Sequence, residues 1–221
     1  MAWNGFYAGV EGEITRGLGG NRRSDGVVNN PALPVIADPS SAVLNRAHVG
    51  WTMPGADGLA GTRVVVGRQR FNYENERWVG SVGFRQNDQT FDAATIEARP
   101  FEGWSLRYAY VDRVNRILGN NANGHWASDA HLFAASTNRV PFGITTAYAY
   151  QLDIAPVPAM SSATFGVRYD ALYQLSDVLA FGGEIELARQ TDYAANPNTY
   201  GLNYALLRPM VKWEDMTTLA V

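Results

Sequence analysis

The chain contains no cysteine, and Lys212 is the one lysine among its eighteen basic residues. The first absence excludes disulfides, thiolate metal sites and thiol catalysis. The second makes arginine almost the sole cation, a planar and permanently charged fork suited to carboxylate or phosphate; a GC-rich genome accounts for part of that bias. No run of ~18 apolar residues exists, so no transmembrane helix is expected. The opening stretch AWNGFYAGVEGE lacks both a basic n-region and a continuous apolar h-region, and does not read as a signal peptide. Charged residues make up 18%, below the usual quarter of soluble domains. The net charge of −3 lacks the basic surplus of a nucleic-acid binder, so no nucleic-acid partner is expected.

What the chain does have is alternation. Hydrophobic residues reach 46% and aromatics 12% of the 221 residues, with eleven tyrosines and six tryptophans. Phe6, Ala8, Val10 and Ile14 alternate with Tyr7, Gly9, Glu11 and Glu13. The same period of two recurs around Trp104–Tyr110, Thr164–Ala171 and Phe181–Ala188, which predicts strands with one apolar and one polar face. Strands are expected at 4–15, 43–52, 62–70, 90–99, 104–113, 130–138, 144–153, 162–172, 179–189, 201–213 and 217–221. Long connections alternate with short ones marked by Gly and Pro, the asymmetry of an antiparallel meander with elaborate loops on one rim and tight turns on the other. Strands of ~9–11 residues fit a tilted bilayer crossing. Trp51, Trp104, Tyr150 and Trp213 lie near strand ends, where interfacial girdles form. Periodicity alone does not say which face is wet: a soluble β-sandwich or lipocalin-like barrel would turn the apolar faces inward.

No chemistry of an enzyme is evident. His48, His125 and His131 form no HxxxH, HExxH or HxH pattern, and there is no Gly-x-Ser-x-Gly elbow. Gly17, Gly19 and Gly20 have neither the lysine nor the following helix of a phosphate loop, so they read as a flexible loop. No cofactor or metal is expected.

The densest charge lies in 67–93, GRQRFNYENERWVGSVGFRQNDQTFDA, where four arginines, two glutamates and two aspartates sit among aromatics. This segment resembles the bacterial alginate-export family of outer-membrane β-barrels. VLNRAHVGW, YAYVDRVNRILG, SDAHLF, SSATFGVRY and ARQTDYAANP flank it in the family's order. The resemblance implies a monomeric, anion-selective conduit in the bacterial outer membrane, passing acidic polysaccharide or small anionic solutes and able to meet periplasmic export partners. It places Arg46, Arg68 and Arg70 at a constriction, with Asp88 as an acidic neighbour. Glu97, Arg99, Arg107 and Arg168, on the polar faces of successive strands, are expected to line the same lumen. Because Val64, Val65 and Val66 are all apolar, strict alternation does not assign Arg68 and Arg70 to the lumen; a bulge at Gly67 would reset their facing, and otherwise they reach the aqueous rim.

The expected fold is therefore all-β: an antiparallel up-and-down transmembrane barrel meander, one domain over 1–221. Eleven strands are too few for the family's large barrel, so the domain is expected to be an incomplete barrel, truncated at the C-terminus and at the N-terminus. A porin of other selectivity and a soluble β-sandwich binding module are the alternatives.

Overall fold

The computed structural model describes residues 4–17, 23–55, 59, 61–213 and the backbone of 217–220. Gly19 and Gly20 of the glycine cluster, and Val221 of the last expected strand, lie outside these residues. Eleven strands follow one another: β1 (Phe6–Thr15), β2 (Ser41–Thr52), β3 (Arg63–Gln69), β4 (Thr90–Ala98), β5 (Trp104–Asn115), β6 (His125–Thr137), β7 (Gly143–Ile154), β8 (Ser162–Ser176), β9 (Leu179–Asp192), β10 (Gly201–Trp213) and β11 (Thr217–Ala220). They form one antiparallel sheet in sequence order, a pure meander, and among the described residues β1 and β11 do not pair with each other. Among the described residues no helix is long and apolar enough to cross a membrane.

Polarity of the two faces follows from the alternation. One face carries Val10, Ile14, Val49, Val66, Phe133, Phe165, Val167, Leu187 and Leu207, each about half exposed or more. A water-soluble sheet does not leave so large an apolar surface bare. The opposite, concave face carries Glu11, Arg46, Glu97, Arg107, Arg168, Glu184 and Glu186. Trp78, in the β3–β4 connection, hydrogen-bonds Glu186 on β9, while Asn87 of that connection accepts a bond from Thr15 on β1. In a flat sheet β1 and β9 would stand roughly 38 Å apart. The nine steps from Trp78 to Asn87 span about 30 Å even fully extended, and a bond from the Gln89 N–H to the Ser81 carbonyl (2.6 Å) folds them back. The sheet must curve around this segment. The soluble alternatives have the reverse polarity, apolar inside, and the fold is not theirs.

Trp51, Trp104 and Trp213 stand on the apolar face at the rim of short turns, as the girdle reading expects. Tyr150 does not. The parity of β7 turns it to the concave face, fully buried, stacked on Tyr148 (4.7 Å between ring centroids) and edge-on to Tyr73 (5.3 Å). These rings belong to one hydrophobic core. Tyr73 and Val79 of the long connection pack on Phe91, Val111, Leu132, Tyr148 and Tyr150 of β4–β7, inside the curve of the sheet.

Candidate functional site

The concave face is assembled around residues 70–89, which fold onto the inner wall and are held there at both ends. Turns give the segment its shape: the Tyr73 N–H donates to the Val79 carbonyl (3.1 Å), and the Ser81 N–H to Asn72 Oδ1 (2.8 Å). Glu74 takes a positive φ of 44°, a sparsely populated conformation for a side-chain-bearing residue, which the surrounding bonds hold in place. That turn delivers its carboxylate, nearly buried, to the Tyr150 hydroxyl and the Arg107 guanidinium. Arg107 also lies over the Tyr73 ring, 4.6 Å from its centroid.

Glu186 is the second anchor. It is completely buried and accepts bonds from the Tyr148 hydroxyl (2.5 Å), Asn75 Nδ2 (3.1 Å), Trp78 Nε1 (3.2 Å) and Arg168 Nη1 (3.3 Å). Arg168 faces three carboxylates, with Asp170 at 2.5 Å and Glu184 at 2.9 Å besides Glu186, and Arg208 of β10 pairs with Glu184. Glu186 thus has four donors within hydrogen-bond distance, and a buried acceptor so well supplied holds its neighbours in one geometry. Trp78 stands edge-on to Tyr204 of β10 (5.4 Å), whose ring Arg77 covers (4.5 Å).

The third anchor lies at the far end. Asp88 meets Arg70 at 3.0 Å and Arg46 at 3.6 Å, and accepts a bond from Asn45 Nδ2 (2.8 Å). Arg46 also pairs with Glu11 at 3.5 Å. Two consecutive residues, Asn45 and Arg46, reach the same side because β2 carries a bulge. Glu11 pairs with Arg46 and Gly12 with Leu44, leaving Asn45 as the extra residue.

Of the residues expected at a lumen, Arg46, Arg70, Asp88, Arg107 and Arg168 are thus on the concave face and knitted to residues 70–89 or to its anchors. Glu97 shares that face but lies near the short-turn rim, with Arg63 at 3.6 Å and the exposed Arg99 at 3.2 Å. Arg68 is on the other side. Gly67 makes no bulge: pairing runs without a shift through His48–Gly67 and Gly67–Ala93. Gly67 instead serves a close backbone approach, since a Cβ there would stand 2.4 Å from the Ala47 carbonyl oxygen, at a φ of 118°. Arg68 therefore keeps the facing of Val64 and Val66, and grips Asp92 through both carboxylate oxygens (2.6 and 3.0 Å) and the Leu44 carbonyl (2.9 Å). Glu11, Glu184 and Glu186 fall on the polar side of the alternation, and antiparallel register on one face is the signal that joins them to Arg46 and Arg168. Nothing in the sequence marks Glu74. Among the described residues no group of three His, Cys, Asp or Glu could hold a metal.

The antiparallel meander superposes on known structures. OccAB3 of Acinetobacter baumannii superposes with a TM-score of 0.62 at 14% identity, over 90% of this chain and 50% of that one. OccD3 (OpdP) of Pseudomonas aeruginosa gives 0.58 at 10% identity, over 78% and 41%. The outer membrane protein opdK of Pseudomonas aeruginosa gives 0.51 at 14%, over 82% and 51%. The fold is that of an outer-membrane β-barrel. This chain spans 41–51% of the length of those barrels. No protein-family model matches it. No curated protein matches it either.

Proposed function

We propose that this chain forms part of the wall of a bacterial outer-membrane channel that passes anionic solutes, with anionic saccharides of the alginate type as the class the sequence resemblance implies. One observation carries the anion preference. Across the ion pairs that hold residues 70–89, the guanidinium stands nearer the water than its carboxylate: Arg70 and Arg46 are 38% and 32% exposed against 7% for Asp88, and Arg107 is 26% exposed against 4% for Glu74. A passing carboxylate meets planar donors first, and the acids behind them keep that contact weak enough to release. The role is transport, with no catalytic step and no cofactor; the complete barrel works as a monomer, with periplasmic partners for export.

The second reading, a porin of other selectivity, draws on Glu11 and Asp170, whose side chains are 44% and 40% exposed beside Arg46 and Arg168. Reversal potentials of the full-length protein in a planar bilayer under a salt gradient separate the two. Anion preference that falls in Arg46→Ala and Arg70→Ala, together with block of the current by alginate oligomers, is the expected result. Cation preference untouched by both substitutions would overturn the anion conduit and leave the porin.

A further inference from the structure

The apolar outer face of β8–β10 ends, toward the long-loop rim, in a cation without a counter-charge. Arg189 follows Ile185 and Leu187 on the outward side of β9, with Phe165 beside it on β8 and Asn203 on β10. No carboxylate lies within ion-pair distance of Arg189 among the described residues; its recorded partner is Asn203 Oδ1, 3.2 Å from Nη1 and itself exposed. The guanidinium is aimed along the strand toward the rim: a Cβ on Gly201, two residues loop-ward of Asn203, would come within 2.7 Å of Arg189 Nη2. That is the posture of a side chain whose stem lies on apolar surface while its head seeks the polar boundary. Directly below it Phe165, Val167, Leu187 and Ala205 line a shallow groove whose head is Arg189 and Asn203. Ala205 leaves the depression and the larger residues form its banks.

We infer that this groove docks a phosphate-bearing membrane lipid, with the phosphate on the Arg189 guanidinium and the Asn203 amide and an acyl chain along Phe165, Val167, Leu187 and Ala205. The choice of occupant follows from charge and shape together. A protein surface would need to bring its own carboxylate into a strip that is otherwise apolar, whereas a lipid presents an anion and an apolar chain in the order the groove presents a cation and an apolar trough. Arginine offers a planar fork to phosphate oxygens, and Arg189 presents its fork outward with no carboxylate partner among the described residues. The inference rests on the membrane reading given above.

Native mass spectrometry of the full-length protein in detergent, titrated with phosphatidylglycerol, tests it. The wild type retains the lipid, Arg189→Gln binds it about tenfold more weakly, and Arg189→Lys falls between. A diacylglycerol of the same chains is retained poorly by all three. Equal phosphatidylglycerol retention by wild type and Arg189→Gln, with both proteins still migrating as heat-modifiable barrels, would overturn the site and leave the channel standing. Displacement of the lipid by millimolar inorganic phosphate would overturn the lipid as occupant. Release of the wild type from membranes by alkaline carbonate would overturn the membrane reading and this site with it.

Discussion

Glu186 and Arg70 illustrate two uses of an ionised side chain on one face. Glu186 is wholly buried and saturated by four donors, so its charge is structural. Glu186→Gln leaves the neighbouring donors short of an acceptor and is expected to cost about 3 kcal/mol, read as a lower unfolding temperature of the detergent-solubilised protein; an unchanged melt would show that residues 70–89 do not depend on this anchor. Arg70 is more than a third exposed and pairs with Asp88, which Arg46 also contacts. Arg70→Ala is therefore expected to cost under about 1 kcal/mol in stability while altering ion selectivity, so the two substitutions should separate cleanly between a melting curve and a reversal potential.

At the scale of elements, aromatic rings lie over glycines of the adjoining strand. Tyr148 covers Gly166, its direct partner, where an added Cβ would meet the ring at 2.3 Å, and Tyr7 covers Gly50 in the same way. Gly166→Ala must push Tyr148 off its bond to Glu186, and a loss on the order of 1–3 kcal/mol follows; a protease site placed near Asn75 should then be cut faster. In the β1–β2 connection Asp25 accepts bonds from the Val27 and Val28 amides, and the backbone N–H of Val28, then that of Val27, holds its carboxyl below the usual 3.8. A depressed carboxylate contributes above its unfolded value and is lost as pH falls through its folded one. This turn should thus stay formed down to about pH 4 and loosen only below it, visible in the amide shifts of Val27 and Val28.

The strands were legible because the outer face repeats strictly. Ten of the boundaries at strand starts fall within two residues of expectation; β6 alone begins five residues early, at His125, since the loop-like composition of 120–129 hides it. The inner face was less legible, for two physical reasons. Where residues 71–79 cover the wall, inward positions such as Ala93, Val111 and Leu132 are apolar too, so the polar stripe of β4–β6 is interrupted. And the Asn45 bulge changes the parity of β2 midway, which no local pattern announces. The facing of Arg68 stayed open in the sequence for a like reason: with Val64, Val65 and Val66 all apolar, alternation could not assign it.

For the molecule as a whole, the sheet is strongly curved yet open, β1 and β11 each having one edge without a partner strand among the described residues. Within lipid, unpaired backbone groups cost several kcal/mol each, so these edges require strands to pair with. The 221-residue polypeptide refolded alone in detergent is expected to self-associate and to lack a heat-dependent mobility shift on gels; a monodisperse, heat-shifted monomer would show that the edges close on each other.

The docking of residues 70–89 also dictates a timetable. Asn75 and Trp78 find their acceptor on Glu186, 111 and 108 residues further along. Contacts so distant in sequence form late, because loop closure must precede them. Tyr73 and Glu74 meet β5–β7 earlier, and the Asn75–Trp78 stretch is pinned only when β9 has arrived. That last clasp becomes the sign that the wall is in place as far as β9, so the segment records in its own fixity how much of the sheet has been laid down.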